Sequence, residues 1–170
     1  EHLAPPKAID PQTTIDQLKS FKTAYEYLTG KNFFTDQDLP LLKQALTTPK
    51  FGLPEIASVI THAFTQIGVV YPDQAPGIIT FLGNTIQNHD GTKLLDRLQL
   101  VDVAVDTILN LAKRHADASL RNYSQTALVL IYQAVTQALE NAPDQRYFSR
   151  SRPRFMIKSK LDTAIRLLSN

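Results

Sequence analysis

The stretch "LLDRLQLVDVAVDTILNLA" at residues 94–112 decides the fold, because its apolar side chains recur at alternating steps of four and three residues. This seam comprises Leu94, Leu98, Val101, Val105, Ile108 and Ala112. A four-three spacing is typical of a helix that packs a continuous stripe against its neighbours. Residues 94–112 are therefore predicted to form a long helix within a helical bundle.

The segment that follows, residues 120–140, is apolar on two faces rather than one. One stripe holds Leu120, Tyr123, Ala127, Leu130 and Ala134, and the other holds Leu128, Ile131, Val135 and Leu139. A helix with two apolar faces is typical of the middle of a bundle. Together the two segments predict a long antiparallel helical hairpin, over about 94–140, at the centre of the domain.

Shorter segments with helical spacing flank this hairpin, and capping residues or prolines mark their ends. Further helices are expected over 13–30, from Thr35 to before Pro49, from Pro54 to a loop at 68–77, from Pro76 to Asn88, and from about Pro153 onward. Residues 1–12 hold three prolines and no periodicity, so they are expected to form an extended N-terminal arm.

Sustained period-two alternation, the signature of a half-buried strand, is missing from the sequence. A chain of 170 residues fits one domain with a sizeable core. The sequence therefore predicts an all-α fold, a single-domain bundle of six or seven helices that spans residues 13–170.

Composition excludes several classes of site. The chain has no cysteine, which rules out disulfides, thiolate metal sites and cysteine nucleophiles. No apolar run approaches the ~20 residues of a membrane-spanning helix, so no transmembrane segment is expected. A soluble, cytoplasmic protein is the default expectation, and a processed or exported form stays open because the chain starts at Glu1 rather than Met.

Positive charge is concentrated in one segment, "RYFSRSRPRFMIKSK" at residues 146–160. It holds six basic side chains and no acidic one, whereas the rest of the chain carries 12 basic and 16 acidic side chains, a net charge of −4. The basic pI therefore belongs to this segment. Such asymmetry favours an anionic partner more strongly than the whole-chain charge of +2 does.

The candidate binding residues all lie in this basic segment: Arg146, Tyr147, Phe148, Arg150, Arg152, Arg154, Lys158 and Lys160. Guanidinium groups bind phosphate or carboxylate in a bidentate manner, and the aromatic rings can stack on bases or anchor a protein partner. Alternation would place Arg150, Arg152 and Arg154 on one side of an extended backbone. The alternative is a solvated connection whose arginines pair with acidic residues of the same chain.

No other pattern predicts catalysis, and no cofactor, metal ligand or catalytic residue is expected. His62 shares a helix face with Glu55 and Gln66, but this set lacks the Glu-x-x-His pairs of metal sites in helical bundles. Asp102 and Asp106 flank the apolar seam and are expected to be exposed or to meet a cation on a neighbouring helix. Phosphate-binding and dinucleotide-binding glycine motifs are absent from the sequence.

These observations predict a non-enzymatic helical domain, an adaptor in protein-protein interaction, whose basic segment binds an anionic partner. An acidic protein surface is favoured over nucleic acid, because a net charge of +2 is low for a nucleic-acid-binding protein. Two alternatives stay open: a nucleic-acid-binding subunit of a larger complex, and a small α-helical enzyme or ligand carrier with an interhelical site. A concave apolar pocket with converging polar groups would favour the last.

Overall fold

The computed structural model of the chain describes residues 26, 28–47, 53–89, 91–141 and 152–169. The helices whose bounds are described are α1 (Leu39–Thr47), α2 (Leu53–Val70), α3 (Ala75–Gln87), α4 (Gly91–Leu95), α5 (Leu98–Arg114), α6 (Ala118–Glu140) and α7 (Arg152–Ser169). Residues 26 and 28–30 are also helical, and none of the described residues forms a β-strand. The predicted all-α bundle is confirmed. The expected arm at 1–12 and most of the expected first helix lie outside the described residues.

Helix α5 forms the centre of the bundle, and it packs against α2, α3, α6 and α7. Its buried side chains include the seam residues Leu98, Val101, Val105 and Ile108, together with Leu100, Val103, Ala104, Thr107 and Leu111. These buried positions are distributed around most of the circumference of the helix and are not confined to one stripe. The sequence therefore located the seam of α5 correctly, but α5 rather than α6 is the helix buried on most sides.

Helices α5 and α6 form the predicted hairpin, joined by residues 115–117. The carboxylate of Asp117 caps α6 by accepting a hydrogen bond of 2.9 Å from the Ser119 backbone N–H. This cap satisfies one of the four donors that the first turn of a helix leaves without a partner. The short connection holds the two helices side by side.

The long helix predicted from residue 94 is interrupted at Asp96 and Arg97, so that Leu94 belongs to the separate short helix α4. The backbone of Arg97 is non-helical, with φ −131° and ψ 51°. Its guanidinium Nη2 donates a 3.0 Å hydrogen bond to the carbonyl of Leu46, at the end of α1. Leu94 is nevertheless buried, which explains why the four-three spacing continues across a break in the backbone.

The loop predicted at 68–77 is mostly ordered helix. Helix α2 continues to Val70, a 3₁₀ turn spans Pro72–Gln74, and α3 begins at Ala75. Gly68 does not end α2 because it serves a packing role: a Cβ there would overlap the side chain of Leu111 on α5. Glycine is needed at this position because no room is left for a side chain, and not because the backbone turns.

Candidate functional site

Helix α7 carries the C-terminal end of the basic segment, and its apolar face fixes it to the bundle. Ile157, Leu161, Ala164 and Leu168 are buried on that face against α5 and α6. Their steps of four, three and four residues keep them on one side of the helix, as the sequence predicts. The described part of the basic segment is thus held on a rigid support.

Most of the predicted binding residues cannot be placed from the structure. Residues 146–151, which include Arg146, Tyr147, Phe148 and Arg150, lie outside the described residues. Positions 152 and 154 belong to the first turn of α7, where Pro153 is tolerated because its missing N–H has no helical partner to lose. The backbone at these two positions is helical rather than extended, and their role as binding residues stays a prediction.

Lys160 forms ion pairs within the chain. The sequence predicted that Asp102 and Asp106 would be exposed or would meet a cation on a neighbouring helix, and Lys160 is that cation. Its Nζ lies 2.9 Å from Asp102 Oδ1 and 2.9 Å from Asp106 Oδ1, both on α5. Partial burial lowers the pKa of Lys160, but the hydrogen bonds and attraction of the two carboxylates outweigh this effect and raise it above its usual value. Its charge is therefore already balanced by the same chain.

Lys158 has a different environment from Lys160. Its ammonium lies 5.8 Å from the centroid of the Tyr132 ring on α6, within the range of a cation-π contact. A ring face leaves much of the ammonium charge free to act on other groups, whereas two carboxylates neutralise it. Of the two described lysines in the basic segment, Lys158 is the one that keeps its charge available.

A groove of about 450 Å³ lies between α3 and α6, and none of its lining residues is among the predicted binding residues. The floor consists of Ile79 and Gly83 from α3 with Ala127 and Leu130 from α6. A Cβ at Gly83 would lie 3.4 Å from the Cβ of Ala127, so the two helices approach closely at this point. Two small residues, Gly83 and Ala127, therefore bring the helices close together at the floor.

The rim of the groove is polar but uncharged. It consists of exposed side chains, namely Thr80, Asn84, Ser119, Asn122, Tyr123 and Thr126. Within the part of the chain that the structure describes, the amides of Asn84 and Asn122 and the Tyr123 phenol have no hydrogen-bond partner in the protein. Donors and acceptors therefore converge around an apolar floor.

The sequence did contain a signal for this groove. Tyr123, Ala127 and Leu130 belong to one of the two predicted apolar stripes of α6. That stripe is less buried than the other, in which Leu128, Ile131 and Val135 are fully buried. Tyr123 remains 53% exposed and Leu130 is half-buried. A second apolar stripe on a helix that has too few neighbours to cover it indicates a surface groove.

Comparison of this chain with models of protein families, with curated proteins and with solved structures found no significant match. None of the helices in the described ranges has the length and apolar character needed to cross a membrane. Among the same residues, no group of three or more His, Asp or Glu side chains is arranged to hold a metal ion. The basic segment and the groove are therefore the two candidate functional features of the chain.

Proposed function

We propose that this chain is a non-enzymatic helical interaction domain whose basic segment, residues 146–160, binds an anionic partner. The observation that carries the proposal is the concentration of six basic side chains and no acidic one in a segment of a chain whose remainder has a net charge of −4. Local excess of one sign raises the concentration of opposite charge near a surface and speeds association.

The packing of α7 supports this role. Buried side chains from Ile157 to Leu168 fix the helix, and the Arg121 guanidinium of α6 donates hydrogen bonds to its last carbonyls. A binding group on a rigid support loses less conformational entropy when its partner arrives. The arginines and Lys158 supply the attraction, because the charge of Lys160 is balanced by Asp102 and Asp106.

An acidic protein surface is the favoured partner. The whole chain has a net charge of only +2, which is low for a protein that binds nucleic acid through many phosphates. Tyr147, Phe148 and Phe155 lie between the basic residues in the sequence, and aromatic and arginine side chains are enriched at the energetic centres of protein interfaces.

Fluorescence anisotropy with the full chain tests this function. The probes are a labelled poly-glutamate peptide and a labelled single-stranded oligonucleotide of equal charge, each titrated across a salt series. The variant replaces Arg150, Arg152 and Arg154 with Ala. The matched control replaces Lys93, Lys113 and Arg114 with Ala, three exposed cations on other helices, so the net charge changes equally.

We expect the arginine variant to lose poly-glutamate binding and the control to retain most of it. Equal losses in both variants would mean that only net charge matters, and the segment would not be a site. Preference for the oligonucleotide, with a slope of log affinity against log salt of about −0.7 per phosphate contacted, as for single strands, would instead support the nucleic-acid alternative.

A further inference from the structure

We infer that the groove between α3 and α6 binds a small uncharged organic molecule, largely apolar, that carries hydrogen-bonding amide or hydroxyl groups. This site is separate from the basic segment and does not depend on the function proposed for it. Four features of the groove support this ligand class: its size, its lack of charged side chains, its polar groups without a hydrogen-bond partner among the described residues, and the exposed ring of Tyr123.

The size of the groove fits a small molecule. Its volume of about 450 Å³ falls within the range of roughly 300–1,000 Å³ found for small-molecule sites, which combine an apolar lining with a few placed polar groups. Its floor is buried at Ile79, Gly83 and Ala127. A partner helix would require a row of exposed apolar anchors beside the groove, but Thr80, Asn84 and Asn122 occupy that surface.

The absence of charge sets the chemical class of the ligand. No Asp, Glu, Lys or Arg occurs at residues 74–88 or 122–139, the segments that contain most of the two groove walls, although charged residues make up 20% of the chain. A carboxylate or ammonium group that left water for this groove would find no counter-ion among the described residues that line it. Desolvation of an unpaired charge is strongly unfavourable, so the groove selects neutral molecules.

The polar rim adds a hydrogen-bonding requirement to this preference for neutral molecules. Each of the Asn84 and Asn122 amides offers both a donor and an acceptor, and these side chains have no partner among the described residues. They match a neutral group that also donates and accepts, such as a carboxamide or a hydroxyl. A purely hydrocarbon ligand would leave these groups without a partner wherever it displaced their water.

The ring of Tyr123 is the remaining feature that points to a ligand. It is 53% exposed at the edge of an apolar floor, whereas most large apolar side chains of the bundle are buried. An exposed aromatic ring offers a flat surface on which a second ring can stack, with a gain of about 0.5–1.5 kcal/mol for a well-placed pair. The groove is therefore suited to a ring-bearing amide or alcohol.

Helix α7 packs on the side of α6 that faces away from the groove. Arg121, Gln125 and Tyr132 contact α7, at helical steps of four and seven residues. Tyr123, Thr126 and Leu130 line the groove at steps of three and four from one another. The described contacts of α7 and the lining of the groove therefore lie on different sides of α6.

Nuclear magnetic resonance titration of the full chain tests the inference with a matched pair of probes. 2-Naphthamide is neutral, and 2-naphthoate has almost the same size and shape but carries a negative charge. We expect 2-naphthamide to shift the backbone amide signals of residues 79–84 and 119–130. Its affinity should exceed that of 2-naphthoate by about tenfold or more, since each factor of ten corresponds to about 1.4 kcal/mol.

A substitution at the rim tests the location. Thr126→Trp fills the groove from its exposed edge and should abolish the shifts, whereas Thr163→Trp, at an exposed position of α7, should leave them intact. If Thr126→Trp does not fold, Tyr123→Ala with Met156→Ala as its exposed control serves the same purpose. In that pair only Tyr123→Ala should weaken binding.

Three results would overturn the inference. Equal affinity for the amide and the carboxylate would show that the groove does not select neutral molecules. Shifts scattered over the surface, or retained in Thr126→Trp, would place binding elsewhere. Groove signals that move with protein concentration alone, and not with the probe, would make the groove a contact between copies of the chain.

Discussion

The guanidinium of Arg121 on α6 caps the end of α7 by donating a 3.1 Å hydrogen bond from Nε to the carbonyl of Leu168. Its Nη2 lies 3.3 Å from the carbonyl of Leu167. The last four carbonyls of a helix lack intrahelical partners, and the C-terminal end carries partial negative charge. A cation from a neighbouring helix satisfies both needs and fastens the two helices together.

Replacement of Arg121 with Met should loosen the end of α7. We expect a loss of about 1 kcal/mol in the free energy of unfolding, because charge-assisted hydrogen bonds at a partly exposed site are lost. Hydrogen exchange of the amides at 165–169 should accelerate. Lys113→Met, at the exposed end of α5, is the matched control. Equal exchange rates in the two variants would contradict a capping role for Arg121.

The ion pairs of Lys160 predict a stability difference that depends on pH. Compared with Lys160→Met, which keeps the apolar stem, the unmodified chain should be more stable by about 0.5–1 kcal/mol near neutral pH. The pKa of Lys160 is raised in the folded state by Asp102 and Asp106. Its contribution is therefore fully present below the unfolded-state pKa of about 10.4 and is lost as the pH rises through the higher folded value.

Urea unfolding of both proteins at pH steps from about 7 to about 11 measures this difference, since the window must cross the reference lysine pKa of about 10.4. Lys113→Met, which removes an exposed lysine from another helix, is the matched control. A Lys160→Met difference that grows toward high pH would reverse the sign and contradict the pairing.

Two leucines of α6 should differ in their contribution to stability. Leu128 is fully buried, whereas Leu130 is half-buried at the floor of the groove. Leu128→Ala should cost about 2–5 kcal/mol, because it leaves a cavity that the core cannot fill. Leu130→Ala should cost about 1 kcal/mol less than Leu128→Ala. Part of the Leu130 side chain already faces water, so its truncation removes less buried apolar area. Equal costs in denaturant unfolding would place Leu130 inside the core.

Glycines 68 and 77 should respond to alanine in opposite directions. A Cβ at Gly77 of α3 would meet nothing within 4 Å, so Gly77→Ala should stabilise the chain by about 0.5–1 kcal/mol through helix propensity. A Cβ at Gly68 would overlap Leu111 Cδ2 and lie 3.1 Å from Cδ1. Gly68→Ala should therefore destabilise by about 1 kcal/mol or more, because overpacking exceeds the gain in propensity.

A double variant checks the cause of that loss. Gly68→Ala combined with Leu111→Ala should be more stable than the sum of the two single changes predicts, because the second change removes the overlap. A coupling of about 1 kcal/mol is expected for residues in direct contact. Simple additivity in urea unfolding would mean that the Gly68 backbone, rather than its contact with Leu111, requires glycine.

Periodicity predicted the fold because burial repeats with the helical turn. The seam from Leu94 to Ile108 is buried as expected, although Asp96 and Arg97 interrupt the backbone. That break depends on a hydrogen bond from Arg97 to Leu46, which is 51 residues away in the chain. Apolar spacing reports which side chains are buried, and it does not report contacts between distant segments.

The groove was harder to predict than the fold for the same reason. Its floor exists because Gly83 and Ala127 bring α3 and α6 together, and that juxtaposition is a tertiary contact. The two apolar stripes of α6 indicated more apolar surface than one core-facing side requires, but they did not show which stripe would remain partly exposed. Whether the basic segment forms a binding surface remains a prediction, since residues 146–151 lie outside the described residues.

The cluster formed by Lys160, Asp102 and Asp106 has a consequence for the way a partner would approach. One lysine and two aspartates leave a formal charge of −1 on the surface between α5 and α7, whereas the five other basic side chains of the segment precede Lys160 in the chain. Opposite charges at neighbouring places create a surface dipole, which turns an incoming anionic molecule before contact. An anionic partner that is repelled from α5 and attracted to the basic segment would thus arrive in a preferred orientation.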